Sequence, residues 1–190
     1  MAKTTQATRF LDKAGVSYTI QQYDYDPNAF KVGLQAAAAI GEPPDRVLKT
    51  LMANVDGKPV CAVVPSNAEV SMKKLAAAFS GKHAEMLDAR TAERLSGYHV
   101  GGISPFGQRK RVPTVFEEKA LAEPYVVMNG GQRGLQVKLA PADAVKALGA
   151  ATATPRLMRR LRIIASPPQA ELTRPCSASD SATALSTKGR

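Results

Sequence analysis

The sequence predicts a single α+β domain, a mixed β-sheet with helices around it, and three observations predict it. Some strand-like runs are joined by tight turns, others are separated by helical stretches, and the strict strand–helix alternation of a doubly wound fold is missing. A chain of 190 residues with 44% hydrophobic content supplies one core of ordinary size and is short for two.

The elements follow in order. Residues 5–14, closed by Gly15, predict a first helix with Ala7, Phe10, Leu11 and Ala14 on one face, capping the sheet. Val16, Tyr18 and Ile20 alternate with Ser17, Thr19 and Gln21, the period of a half-buried strand, which the acidic turn from Asp24 to Pro27 stops. Residues 33–40 are alanine-rich and helical, halted by Gly41 and the Pro43-Pro44 pair. A hairpin of residues 47–55 and 58–64 turns at Asp56-Gly57, which tolerates the positive φ angles of a two-residue turn. Residues 71–79 and 91–95 predict helices with Ser71 and Thr91 as hydroxyl caps. Residues 98–100 read as a strand entering a glycine turn, 111–116 as extended, 125–128 and 135–139 as a strand pair, and 142–148 as a last helix. The division is a domain over 1–150 and a basic Ser/Thr/Ala/Pro-rich tail over 151–190, flexible from Ser166 onward because it has few large apolar residues to offset its ordering entropy.

Composition narrows the function classes. No apolar run approaches the roughly 20 residues of a membrane span, and the N-terminal residues lack the apolar stretch of a secretory signal, so a cytoplasmic protein without membrane partners is expected. Two cysteines, Cys61 and Cys176, and two histidines, His83 and His99, form neither a disulfide framework nor a metal-ligand spacing, so no metal is expected. Without a G-x-G-x-x-G or Walker sequence, no nucleotide cofactor is expected either. The net charge is +10, and residues 151–190 hold half of it, with seven Lys/Arg against two Asp/Glu. Such a balance attracts polyanions, nucleic acid first; a merely well-solvated surface is the other reading.

Lys49 stands out on the row of Val47, Leu51, Ala53 and Val55, where a cation interrupts an apolar strand face. A desolvated ammonium costs several kcal/mol, so such a lysine either snorkels to the rim or faces a bound anion. The run Gly101 to Gly107, before Arg109-Lys110-Arg111, offers backbone that can approach a ligand, with free N–H groups suited to an oxyanion; an ordinary tight connection is the alternative. The tip from Asn129 to Gly134, with Arg133, reads as a turn or a phosphate contact. No triad spacing joins Ser104 to His83 or His99, and Glu117-Glu118 read as a solvated turn.

Four segments, Tyr23-Asp-Tyr-Asp-Pro27, Arg46-Val-Leu-Lys-Thr-Leu51, Gly101-Gly-Ile-Ser-Pro-Phe-Gly-Gln-Arg-Lys-Arg-Val-Pro-Thr114 and Gly130-Gly-Gln-Arg-Gly-Leu135, occur in the order and spacing of the YbaK family of aminoacyl-tRNA deacylases, which the chain resembles over residues 4–150. That resemblance implies a strongly curved, barrel-like sheet and trans-editing, in which cysteine mischarged onto tRNA(Pro) by prolyl-tRNA synthetase is removed by cleaving its ester. A second, hydrolytic checkpoint is needed because an apolar pocket separates substrates of similar volume by only about 1–3 kcal/mol. It implies Lys49 on the terminal adenosine phosphate, Gly101 presenting backbone to the ester and amine, and Tyr23 as a third catalytic group. It further implies a substrate pocket of Val32, Thr50, Gly102, Ile103, Ser104, Pro105, Asn129 and Gly131. The absence of a protein nucleophile is also implied: the cysteine's own thiol attacks its carbonyl, an intramolecular reaction worth about 7–11 kcal/mol in effective concentration. Two positions depart from the family pattern, Asn129 in place of serine and Val32 in place of an aromatic, and a lost ring widens the site. The alternatives are an editing deacylase for another small amino acid such as alanine, and a non-catalytic tRNA- or synthetase-binding module. In the tail, Leu157, Leu161 and Ile164 among arginines fit either a short basic amphipathic helix or a frayed end.

Overall fold

A helix that caps itself opens the fold. In the computed structural model, which describes residues 4–26, 32–153 and 158–159, α1 (Gln6–Lys13) begins at Thr5 with a reciprocal cap: Thr8 N–H donates to Thr5 Oγ1 and Thr5 N–H to Thr8 Oγ1. Thr5 Oγ1 also donates to Gly130 O at 2.5 Å, which fastens the helix to a segment 125 residues further along the chain, while Ala7 and Leu11 are buried.

The strand β1 (Tyr18–Gln22) and the helix α2 (Val32–Ile40) lead to the hairpin of β2 (Val47–Val55) and β3 (Lys58–Pro65), whose turn has positive φ at both Asp56 (47°) and Gly57 (83°). Then come β4 (Glu69–Val70), α3 (Met72–Ala78), β5 (Ala84–Met86), α4 (Ala89–Ser96), β6 (Thr114–Glu117), α5 (Glu118–Leu121), β7 (Val126–Gln132), β8 (Leu135–Leu139), α6 (Pro141–Leu148), β9 (Ala151–Ala153) and β10 (Met158–Arg159). One mixed sheet runs β1-β8-β7-β2-β3-β6-β9, with β5 on β2 as a branch. Hairpin neighbours pair antiparallel, and the β2/β7, β3/β6 and β6/β9 contacts are parallel, the combination expected from turns and crossovers in one curved sheet.

Alternation along β2 sorts its residues between two faces. Leu48 and Met52 pack with Leu11, Ala92, Phe106 and Met128 in the larger core. On the opposite face Val47 packs with Ala36 and Ala37 of α2, whereas Ala53 and Val55 pack with Leu75 and Ala76 of α3. That face therefore carries two separate apolar clusters, and Lys49 occupies the row between them.

Five expectations need correction or supplement. Thr91 is not a cap: Asp88 accepts its N–H at 2.9 Å, so α4 starts earlier and Thr91 lies inside its first turn. Residues 98–100 are a turn, because Tyr98 is drawn into the core, its hydroxyl donating to Phe106 O at 2.6 Å, while Gly102 N–H donates to His99 O. Glu117 is fully buried, ending β6 beside the unforeseen strand β9. Residues 151–153, expected in the tail, add that strand to the sheet. Of the stretch read as either a short amphipathic helix or a frayed end, Met158–Arg159 pair as a strand with Glu69–Val70, and Leu157, Leu161, Ile164 and everything after residue 159 lie outside the described residues. No helix among the described residues is long and apolar enough to cross a membrane.

Candidate active site

The site begins as a gap in the hydrogen-bond ladder. On one side β2 pairs with β3 from Leu48 to Val55; on the other it pairs with β7 only at Val47 and Leu48, and with β5 only from Ala53 to Val55. Residues 49–52 have no strand partner on that second side among the described residues. The two-residue turn fixes the parity: Val47, Lys49 and Leu51 direct their main-chain groups toward β3, whereas Leu48, Thr50 and Met52 direct theirs toward the gap. Ser66 N–H donating to Val47 O, and Leu87 N–H donating to Met52 O, follow that alternation.

A cavity of about 550 Å³ fills this gap, within the size range of small-ligand sites. Lys49, Thr50, Tyr23, Val32, Ile103, Gly101 and Asn129, far apart in sequence, all line it. Lys49 Nζ donates to Ala68 O at 2.5 Å and to Ser66 O at 3.4 Å. Tyr23 Oη, Thr50 Oγ1 and Gln136 Oε1 are buried without a formed hydrogen bond, and all three residues line the cavity. Buried polar atoms are normally paired, so three unpaired ones among the residues of one cavity are unusual, although each lies beneath the lining surface. Burial raises the Tyr23 pKa, with the nearby Gln136 side chain opposing it, so the phenol stays protonated and able to donate.

The glycine loop forms one wall. Gly101 has φ +88°, and a Cβ there would lie 3.1 Å from Tyr25 Oη and 3.3 Å from Arg133 Nε, so the position favours glycine on both counts. Arg133 donates from Nε and Nη2 to Val100 O at 2.9 and 2.7 Å and stacks over the Tyr25 ring at 5.3 Å. Asn129 Nδ2 donates to Gly101 O at 3.2 Å. Met86 (47% exposed) and Val100 (42%), the large apolar side chains exposed among the described residues, both sit on the rim.

Gly102, Ser104, Pro105 and Gly131 are not part of the lining. Gly102 N–H is taken by His99 O, so it is not an open oxyanion donor. Ser104 is buried, with Oγ accepting from Phe106 N–H; Pro105 is buried beside it; and Gly131 N–H donates to Asn129 Oδ1 at 2.7 Å in the irregular end of β7. These four shape the loop behind the wall. Gln136, Met86 and Tyr25 line the cavity without having been singled out from the sequence, and Arg133, read there as part of a turn or a phosphate contact, lines it as well. Gln136 carries a weak signal, a polar residue between Leu135 and Val137, but alternation alone reads it as solvent-facing.

Among the described lining residues, which include the carboxylate of Glu69, no hydroxyl is hydrogen-bonded to a histidine or carboxylate. Ser66 Oγ donates to Pro44 O, and His83 and His99 are exposed elsewhere. Cys61 is fully buried outside the cavity, with its pKa pushed up to about 12 by desolvation. No cluster of three or more His, Cys, Asp or Glu side chains suited to a metal ion occurs among the described residues.

Residues 26–147 match the aminoacyl-tRNA editing domain family. The chain belongs to this family. It is an editing domain of the aminoacyl-tRNA deacylase class, and the YbaK-like motifs contribute Tyr23, Lys49, Thr50, Gly101, Ile103 and Arg133 to the cavity. EbsC of Enterococcus faecalis, whose name assigns it Cys-tRNA(Pro)/Cys-tRNA(Cys) deacylase activity, is 36% identical over 140 residues, covering 72% of this chain and 84% of EbsC. A proline–tRNA ligase of Elusimicrobium minutum is 29% identical over 106 residues, 55% of this chain but only 18% of the ligase. The fold is shared with a solved structure described as a trans-editing enzyme for prolyl-tRNA synthetase (TM-score 0.67, 20% identity, 80% of this chain and 97% of that one). It is also shared with the hypothetical protein APE2540 (TM-score 0.70, 21% identity, 78% and 97%).

Proposed function

We propose that this editing domain removes cysteine from Cys-tRNA(Pro) in trans, working after prolyl-tRNA synthetase. The observation that carries the proposal is one cavity uniting Lys49 with the Gly101 wall, with no hydroxyl hydrogen-bonded to a histidine or carboxylate among its described lining residues. Lys49 Nζ anchors the phosphate of the terminal adenosine. Tyr23, Thr50 and Gln136 hold the aminoacyl group against the loop at Gly101. The substrate thiol then attacks its own ester carbonyl. A carbon–sulfur bond forms, the bond to the ribose oxygen breaks, the thiol proton passes to that oxygen, and a cyclic thiolactone leaves the free tRNA hydroxyl behind. The protein's contribution is orientation, which an intramolecular reaction rewards most.

Val32 and Asn129 leave the cavity room for other small side chains, so selectivity is the sharp test. Purified protein is incubated with tRNA(Pro) charged with cysteine, serine or alanine. Rapid loss of cysteine with serine spared supports thiol chemistry. Equal loss of cysteine and serine refutes it, loss of alanine in preference assigns the domain to alanine editing, and cleavage of none refutes the proposed activity.

A further inference from the structure

The pocket accounts for the ester and the terminal nucleotide but not for the rest of a large polyanionic substrate. We propose that the outer face of α4, with the Arg109–Lys110 segment against its C-terminal end, is the phosphate-docking strip that guides the acceptor arm of a tRNA to the cavity. The proposal rests on the reading of the cavity as an aminoacyl-tRNA site and adds where the nucleic acid lies.

Position is the first argument. Leu87, Ala89 and Ala92 line the cavity, so the N-terminal end of α4 is part of its wall. Ala92 and Ser96 are buried, whereas Arg90 and Arg94 are exposed. Four residues apart, the two arginines share one face, about 6 Å apart along the axis. At the other end Arg109 N–H donates to Ser96 O and Lys110 N–H to Leu95 O, both at 2.9 Å, which pins two further exposed cations to the helix. The four charges are thus spread along α4, from the turn that lines the cavity to its C-terminal end.

Charge balance is the second. Among the described residues none of these four side chains has an ion pair or a side-chain hydrogen bond. The acids beside them are engaged locally: Asp88 caps α4 through Thr91 N–H, and Glu93 accepts from Val100 N–H at 2.8 Å with His99 at 3.4 Å. Cations near the β7–β8 pair are arranged differently, with Arg46 on Glu123 at 2.7 Å and Lys138 on Glu42 at 2.8 Å. A row of exposed point charges suits a backbone of repeated phosphates better than one small anion, which a concave cluster would enclose.

The test uses the full chain and uncharged tRNA(Pro), with affinity measured across a salt series. A variant carrying Arg90→Gln, Arg94→Gln, Arg109→Gln and Lys110→Gln should bind at least tenfold more weakly at low salt, and its log–log salt slope should shrink by about 3 to 4, near 0.9 for each phosphate no longer neutralised. Restoring charge with lysine at the three arginine positions should recover most of that slope. Cleavage of a cysteinyl ester of adenosine 5′-phosphate, too small to reach the strip, should be unchanged. An unaltered slope and affinity in the variant would overturn the strip. So would unchanged tRNA affinity with lost prolyl-tRNA synthetase association, which would assign the face to a protein partner. If the native protein binds tRNA through these residues yet cleaves no aminoacyl ester, the strip stands and the proposed function fails.

Discussion

The Asn129 side chain holds the Gly101 carbonyl across 28 residues of sequence: Nδ2 donates to Gly101 O at 3.2 Å while Oδ1 accepts from the N–H groups of Gly131 and Gln132 at 2.7 and 3.2 Å. One planar amide thus fixes both the cavity wall and the irregular end of β7 that faces it. Serine, shorter by an amide group, has one oxygen for all three contacts.

Asn129→Ala should therefore loosen the wall as well as the bulge. Leaving partly buried main-chain groups unpaired costs about 1–3 kcal/mol, and deacylation should fall with it. Asn129→Ser should retain an intermediate rate. Urea unfolding beside single-turnover deacylation measures the two effects together.

Lys49→Ala should leave the fold intact and lower deacylation by on the order of 10–10²-fold, the loss of one charge-assisted hydrogen bond of about 1.5–3 kcal/mol to the terminal phosphate. Lys49→Arg should not restore it, because the planar guanidinium cannot reproduce the contacts of Nζ with the Ser66 and Ala68 carbonyls. Single-turnover rates at saturating protein, with circular dichroism as the folding check, decide this.

Gly101→Ala meets two obstacles, a positive φ and the 3.1 Å approach to Tyr25 Oη. The left-handed backbone alone costs an L-residue about 1–2 kcal/mol. The variant should show a lower midpoint of thermal unfolding and a deacylation loss larger than that midpoint shift explains, because the displaced atoms belong to the wall.

Cys61 should be silent toward alkylation. With its pKa pushed up to about 12 by burial, almost no thiolate exists at neutral pH. In a Cys176→Ser variant, iodoacetamide should label nothing until denaturant is added, as mass spectrometry would show. Labelling of the native protein would disprove this inertness.

Acid stability should reflect Glu42. Burial pushes its pKa up, but hydrogen bonds from Lys138, Tyr125 and Gln21 outweigh that and hold it below its ordinary value of 4.5. A depressed folded-state pKa gives stability that is present above the unfolded value and lost as pH falls through the folded one. Glu42→Gln should thus be less stable than the native protein at neutral pH, and the difference should shrink as pH falls below the ordinary glutamate value in urea titrations.

Local chemistry decided what the sequence could reveal. The β2–β3 hairpin was legible because Asp56-Gly57 fits one turn type between two largely apolar runs. Lys49 was legible because a cation breaks an apolar row. The gap beside Thr50 was not, since it depends on where β7 stops pairing and where the three-residue β5, too short for a periodic signal, begins. Glu117 misled for a related reason: its burial accompanies β9, a strand of small residues with no strong β preference. Gln136 alternates as a solvent-facing residue should, and only the assembled fold converts that side of β8 into a cavity wall.

The interrupted ladder at β2 also bears on how the protein avoids associating with itself. Unpaired strand edges invite pairing with other chains, and proteins usually blunt them with charge, proline or a covering segment. Here the open stretch is recessed behind the walls of a cleft, where a small ester can reach it and the strand of another molecule cannot, so a sticky edge is kept for chemistry without becoming a seed for aggregation.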